Sequence, residues 1–251
     1  MSTLAILTAA GSGTRLGRDL PKALVELDGV PLVLHAARRL AAAGVVDRLV
    51  VTAPAGAAAA VRDLLSTDPL VGLPLEVVDG GATRQASVAA GLARAGDDVD
   101  VVLVHDAARP FAPAALVRRV VAAVRAGHGA VVPGLPVVDT IKTVSGGERD
   151  ATSAQGSERA AVTVEAVTGT PERAVLRAVQ TPQGFERALL VRAHAAGAAR
   201  AAADHLAATD DAGLVEALGE RVVVVPGDEA AMKITTERDM HLAALYAGQV
   251  A

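Results

Sequence analysis

An apolar run, Leu4-Ala-Ile-Leu-Thr-Ala9, feeds straight into Ala10-Gly-Ser-Gly-Thr-Arg-Leu-Gly17, with Pro21-Lys22 shortly after. The loop joins Gly11 and Gly13 to three cationic side chains, Arg15, Arg18 and Lys22. Glycine lets a backbone approach a ligand closely. Loop N–H groups beside Arg and Lys then form a pocket for several phosphates. The spacing fits neither common nucleotide loop. A dinucleotide fingerprint needs glycine where Leu16 stands, and a P-loop needs Gly-Lys-Ser/Thr after four intervening residues. The same residues would also make a plain strand-to-helix turn with solvated charges.

Three further segments could share the chemistry. In Asp79-Gly-Gly-Ala-Thr-Arg-Gln-Ala-Ser87, two glycines follow a strand, Thr83 is placed to cap a helix, and Ser87 lies one turn on. In Val104-His-Asp-Ala-Ala-Arg109-Pro-Phe111, a strand end delivers Asp106 into a crevice with Arg109 three residues later. That pair suits a substrate or Mg²⁺ site, since Mg²⁺ takes few carboxylates plus phosphate oxygens and water. An ion pair that fixes the loop is the alternative. Late in the chain come Arg173, Thr181-Pro-Gln-Gly-Phe185, Thr209-Asp-Asp211 and Lys233. Lys233 stands between Met232 and Ile234, where an unpaired amine would be poorly solvated. The six histidines, at 35, 105, 128, 194, 205 and 241, show no i, i+4 metal pairing, and His105 reads as structural.

The elements that must position these residues alternate. Strands are expected over Leu4–Ala9, Leu49–Ala53, Leu75–Asp79, Val101–His105, Ala130–Pro133 and Arg221–Pro226, apolar on both faces as in a covered parallel sheet. Helices are expected over Pro31–Ala43, Ala57–Leu65, Thr83–Ala95, Pro113–Ala126, Glu186–Ala203 and Thr236–Ala247. Pro31 and Pro113 suit first-turn positions, Gly44, Gly96 and Gly127 suit stops, and Thr236 with Asp239 gives a capping box. The fold class is α/β: one doubly wound, mostly parallel, Rossmann-like sheet forming a single domain over residues 1–251. Ligands in such sheets sit beyond the carboxyl ends of the strands, where the glycine loops and Asp106 fall. Residues 139–181 break the pattern and read as a protruding β-arm with a polar tip, Ser145–Gly156. A hairpin is marginal alone in water, so the arm is expected to pack on its copy in a second subunit.

Composition narrows the classes. The net charge is −4 and aromatic residues are 1% of 251, so neither nonspecific nucleic-acid binding nor base stacking is expected. There are no cysteines, which removes disulfide, thiolate and Cys-zinc chemistry. Mean hydropathy is +0.38, supplied by alanine and valine. The uncharged runs are too short to span a bilayer, and the start lacks a basic region before its apolar run. A cytoplasmic protein with no membrane partner is expected.

The glycine loop with Pro21-Lys22 resembles the signature of nucleotidyltransferases. Taken with Gly80-Gly-x-x-Arg84-x-x-Ser87-Val88, Val104-His-Asp-Ala-Ala-Arg-Pro110, Asp139-Thr-Ile-Lys142, Arg173, Gln180-Thr-Pro-Gln183, Thr209-Asp-Asp211 and Lys233-Ile-Thr, it resembles the 2-C-methyl-D-erythritol 4-phosphate cytidylyltransferase family of non-mevalonate isoprenoid synthesis, over nearly the whole chain. The resemblance implies transfer of a cytidylyl group from CTP to the methylerythritol phosphate. It implies that Arg15 and Lys22 hold the triphosphate and that Ala10, Gly11, Gly13, Gly81 and Ser87 shape the CTP pocket. Asp106, Arg109, Thr140, Thr181 and Thr209 would bind the methylerythritol phosphate, with Arg173 and Lys233 aiming its phosphate. Mg²⁺ would be held mainly by the CTP phosphates, with Asp106 a candidate protein ligand. A homodimer would form through the arm, bringing Thr140 to the partner's site. Two departures stand out: Ala82 replaces a residue that is often acidic in the family, and the arm is longer than usual. A ribitol 5-phosphate cytidylyltransferase and a noncatalytic nucleotide sensor are the rival readings. A dehydrogenase is disfavoured by Leu16.

Overall fold

The computed structural model describes residues 1–11, 20–145, 164–201 and 210–247, with the side chains of 199–201 left aside. Arg15, Arg18, Gly13, Thr209 and most of the predicted arm tip lie outside the described residues. In chain order, the regular elements begin with β1 (Ser2–Thr8), β2 (Glu26–Leu27), β3 (Val30–Pro31) and α1 (Leu32–Ala42). They continue with β4 (Arg48–Ala53), α2 (Ala58–Ser66), β5 (Leu75–Asp79), α3 (Arg84–Leu92), β6 (Val99–Asp106), α4 (Ala114–Arg125) and β7 (Ala130–Pro136). Then come β8 (Thr143–Val144), β9 (Val167–Gly169), β10 (Arg177–Val179), β11 (Gln183–Glu186), α5 (Arg187–Ala201), α6 (Asp211–Glu216), β12 (Val223–Pro226) and α7 (Glu237–Ala247).

The chain divides into two compact units, one of residues 1–134 with 179–251 and one of residues 135–178. In the first, the strands run in the order β7-β11-β6-β1-β4-β5, with β12 beside β7. β6, β1, β4 and β5 are parallel, while β11 is antiparallel to both β6 and β7. Period-two alternation divides the core. Ala5 and Leu7 of β1 face Val33, Ala37 and Leu40 of α1 with Val117, Val120 and Val121 of α4. Leu4 and Ile6 face the opposite layer, where Val88 of α3, Leu190 of α5 and Val215 of α6 pack with Phe185. Both faces of β1 are therefore buried, which is why its sequence reads as continuous apolar residues.

The sequence-level elements recur with shifted ends, and the caps follow the chemistry. Thr83 accepts the Ala86 N–H at 3.1 Å, and Asp239 accepts the Thr236 N–H at 2.8 Å in a capping box. Pro31 and Pro113 stand one residue earlier than expected, as N-caps. Gly44 and Gly127 end their helices at positive φ. The short pair β2–β3, α6 and β11 go beyond the sequence reading. α6 is too short to show a period, and β11 hides its strand character behind Gly184. A Cβ on Gly184 would lie 2.5 Å from Val120 Cγ1, so α4 occupies the space a side chain would need.

The second unit carries the antiparallel pair β8–β9 and a 3₁₀ turn over Arg173–Val175. Arg173 donates to the Val138 carbonyl at 2.6 Å within it, and Thr140 belongs to the same unit. Val138 and Val175 expose 79% and 73% of their surface there. Among the described residues no helix is long and apolar enough to cross a membrane.

Candidate active site

Sheet order places the site. From β1 the chain steps to β4 and β5 on one side, then returns to β6 on the other, so the carboxyl ends of β1 and β6 flank a topological switch point. A cleft of about 480 Å³ opens there. Ala10 and Gly11 line it after β1, Gly81 and Ser87 after β5, and Asp106 at the end of β6. Lys22 enters from the 3₁₀ turn that Pro21 starts, and Lys233 from the segment before α7. Residues from the front, middle and back of the chain thus meet in one crevice. Ala82 also lines the cleft, offering no carboxylate.

The glycine pair is a matter of room. A Cβ on Gly80 would collide with Ala10 Cβ and lie 2.9 Å from Ser87 Oγ. Ser87 is buried and its hydroxyl is engaged, accepting the Gly81 N–H at 3.1 Å and donating to the Thr83 carbonyl at 3.0 Å. Ser87 therefore sets the shape of the Gly80–Thr83 loop against the loop that begins at Ala10.

Asp106 organises the other wall. Its Oδ2 accepts from Lys233 Nζ at 2.7 Å, and its Oδ1 from Arg84 Nε at 3.3 Å. The Thr8 hydroxyl, 3.3 Å from Oδ1, is shared with the His105 carbonyl at 3.2 Å. Arg84 bridges onward to Asp211 at 2.7 Å, and Asp211 meets His194 Nε2 at 2.9 Å. The result is a row of alternating charge, Lys233–Asp106–Arg84–Asp211, running inward from the cleft. Burial alone would raise the Asp106 carboxyl, but Arg84, Lys233 and Arg109 outweigh it and hold the group well below the usual carboxylate range. Burial would likewise lower Arg84, yet Asp211 and Asp106 raise it above the ordinary guanidinium value.

Behind the row sits a neutral histidine. His105 Nε2 lies 3.1 Å from the Arg109 carbonyl, which only accepts, so the proton is on Nε2. Nδ1 then accepts from the Thr181 hydroxyl at 2.9 Å, and the same oxygen accepts the Asp106 N–H at 3.1 Å. Burial pushes His105 down to about 4, with Asp106 opposing and Arg109 adding to the fall. Neutral His105 and Thr181 thus fix the backbone at Asp106, and the structural reading of His105 fits its surroundings.

The structure redistributes several roles read from the sequence. Asp106 pairs with Arg84 and Lys233, while Arg109 donates to the carbonyls of Ala231 at 2.7 Å and Val179 at 3.2 Å. Arg109 therefore holds backbone segments together, where its sequence neighbourhood suggested an Asp106–Arg109 pair. Thr181 is buried with its hydroxyl occupied. Arg84 and Asp211, quoted within motifs but given no role, carry the middle of the ion row; the only sequence signal for them was proximity to Gly81 and Thr209. Asp106 is a poor metal ligand, since both oxygens already face cations and Arg109 adds a third nearby charge. Among the described residues no cluster of three His, Cys, Asp or Glu could hold a metal.

Comparison with known proteins bears on this geometry. The family model of 2-C-methyl-D-erythritol 4-phosphate cytidylyltransferase matches residues 3–249. The relative of that name from Streptomyces avermitilis is 48% identical over 244 residues, 96% of this chain and 90% of its own. The one from Nocardia farcinica is 50% identical over 242 residues, 96% of this chain and 92% of its own. The crystal structure of 2-C-methyl-D-erythritol 4-phosphate cytidylyltransferase from Thermus thermophilus superposes with a TM-score of 0.71 at 35% identity, covering 99% of this chain and 100% of that one.

Proposed function

The chain belongs to the 2-C-methyl-D-erythritol 4-phosphate cytidylyltransferase family, and on that premise we propose how its residues divide the work. It transfers a cytidylyl group from CTP to 2-C-methyl-D-erythritol 4-phosphate, giving 4-diphosphocytidyl-2-C-methyl-D-erythritol and pyrophosphate. The rival readings, a ribitol 5-phosphate enzyme and a noncatalytic sensor, find no support among these relatives.

A phosphate monoester has its second pKa near ~6, so the acceptor phosphate is an anion at neutral pH and needs no general base. Its oxygen forms a bond to the CTP α-phosphorus as the bond to pyrophosphate breaks on the opposite side. The barrier lies in bringing two polyanions into line, which positioned cations overcome. Lys22, with Arg15, holds the triphosphate, while Ala10, Gly11, Gly13, Gly81 and the loop fixed by Ser87 receive the nucleoside. Lys233 faces the incoming phosphate from the opposite wall. A carboxylate accepts about four hydrogen bonds, and Asp106 uses three within the protein, leaving one lone pair on Oδ2 for a methylerythritol hydroxyl. Arg109 and Thr181 serve that wall by positioning. Thr209 joins the substrate-binding set on the strength of its motif.

A divalent cation such as Mg²⁺ would be held mainly by the CTP phosphates, where it would neutralise charge on the triphosphate; Asp106, already facing Arg84 and Lys233, would not hold it. The arm pairs with its copy in a homodimer, covering Val138 and Val175 and carrying Thr140 and Arg173 toward the substrate phosphate. Charged, water-soluble substrates suit a cytoplasmic setting. The observation that carries this reading is that Lys22 and Lys233 line one cleft with Gly11, Gly81 and Asp106. The test is incubation with CTP, Mg²⁺ and methylerythritol phosphate, followed by mass spectrometry. The cytidine diphosphate sugar alcohol should appear, and a matched reaction with ribitol 5-phosphate should yield none. Product from ribitol phosphate alone would overturn it.

A further inference from the structure

Lys233 sits on a segment with no regular structure between the 3₁₀ turn Glu229–Ala231 and α7, yet its ammonium must be held to within a fraction of an ångström. Besides the Asp239 bonds to the Thr235 and Thr236 N–H groups and the Gly227 N–H bond to the Gly134 carbonyl, three ties fix that segment and the turn before it. Ile234 N–H donates to the Ala108 carbonyl at 2.8 Å, and Arg109 donates to the Ala231 carbonyl at 2.7 Å. The third tie is a two-point clamp by a side-chain amide. Gln180 Nε2 donates to the Asp228 carbonyl at 2.8 Å, and Gln180 Oε1 accepts the Asp228 N–H at 2.9 Å. Asp228 in turn caps the 3₁₀ turn, its Oδ1 accepting the Ala230 N–H at 3.0 Å.

The clamp has its own anchorage and its own clearance. Gln180 is buried, and its backbone N–H donates to the Pro133 carbonyl at 2.8 Å, so its reach toward Asp228 is set by the sheet. A Cβ on Gly227 would lie 2.5 Å from Gln180 Oε1, so the residue before Asp228 has no side chain where the amide must pass. Gln183, three residues on, does the same for the far end of the ion row. Its Nε2 donates to Asp210 Oδ2 at 2.8 Å, and its Oε1 accepts the Ala212 N–H at 3.2 Å. Both amides face inward on either side of Pro182.

We propose that Gln180 is a positioning residue for the reaction: it touches neither substrate but sets the height of Lys233 over Asp106 through the Asp228–Ala231 turn. This rests on the reading that Lys233 faces the acceptor phosphate. A residue acting through Lys233 should lower turnover while leaving nucleotide capture alone, because Lys22, Gly11 and Gly81 lie on elements the clamp does not touch.

The experiment is a double-mutant cycle on the full chain, read by pyrophosphate release with CTP and methylerythritol phosphate varied separately. Gln180→Met keeps the length of the side chain and removes both hydrogen bonds. It is expected to lower kcat at least about tenfold with the KM for CTP within about twofold of wild type. In a Lys233→Ala background the same change should cost less than about twofold, since the group it positions is gone. An equal loss in both backgrounds, or no loss in the wild-type background, would overturn the proposal. Normal turnover in Lys233→Ala alone would sink the functional reading beneath it, and the proposal too. Should Gln180→Met fail to fold, Gly227→Ala presses a methyl on the amide oxygen, and on the Gly134 backbone 3.0 Å away, and must give the same split between kcat and the KM for CTP. A Gly227→Ala enzyme that folds and turns over normally would contradict the clamp.

Discussion

Replacing Asp106 by Asn tests the ion row at its centre. The amide keeps the shape of the carboxylate, but its NH₂ cannot accept, and its two protein partners with charge, Arg84 and Lys233, only donate. Whichever way the amide is turned, one cation loses its acceptor. Breaking a buried pair by removing one partner costs about 3–5 kcal/mol. Two features reduce that figure. Arg84 retains Asp211 at 2.7 Å, and Lys233 is 40% exposed, so its share falls toward the ~0–1 kcal/mol of a solvated pair. A net loss of about 2–3 kcal/mol remains, or roughly 4–12 °C in Tm for a chain of this size. The sign with pH follows from the depressed carboxyl. Its stabilisation is present above the unfolded carboxylate value near ~3.9 and fades as pH falls toward the folded value. Thermal melts by circular dichroism should therefore show the full gap between wild type and Asp106→Asn at pH 7, shrinking below about pH 4. A Tm within about 1 °C of wild type at pH 7, or a gap that stays constant into acid, would refute the reasoning.

His105 is neutral when buried, with its pKa pushed down to about 4, so the unfolded chain binds a proton that the native state refuses between about pH 6.5 and 4. Wild type should lose on the order of 3 kcal/mol more than His105→Gln across that window, read by urea melts; parallel curves would contradict it. Gly80→Ala drives a methyl into Ala10 and Ser87, so the KM for CTP should rise at least about fivefold while the KM for methylerythritol phosphate holds. Equal rises in both would place Gly80 outside the nucleotide wall. On the proposed arm-to-arm dimer, Val138→Asp with Val175→Asp should shift sedimentation from dimer to monomer; a wild-type monomer, or a doubly substituted dimer, would contradict that arrangement.

The parallel strands and their covering helices were legible because burial on both faces writes itself into sequence as Leu/Val/Ile runs, as in β1 and β6. The cleft was legible for a related reason: Gly80, Gly81 and Asp106 stand at strand ends, where α/β sheets bind ligands. What escaped was set by tertiary partners. Nothing local says that Gln183-Gly-Phe-Glu186 becomes a strand, since its pairing with β6 and β7 is supplied by distant residues. Nor does local sequence say that Asp106 chooses Arg84 over Arg109, because that choice depends on how α3 packs against β1 and β4. Lys233 was suspect as an amine among apolar neighbours, and its pairing with Asp106 resolves that conflict.

The measurement closest to the heart of the account is the single-turnover rate of pyrophosphate release in Lys22→Ala and Lys233→Ala, each folded as wild type. One charge pair at ~4 Å and an effective dielectric of ~20 is worth roughly 4 kcal/mol before desolvation. Each loss should therefore slow the chemical step by about 10²–10³-fold, and by no less than about tenfold. Wild-type rates in both variants would mean that the two lysines share a cleft without acting on the phosphorus between them.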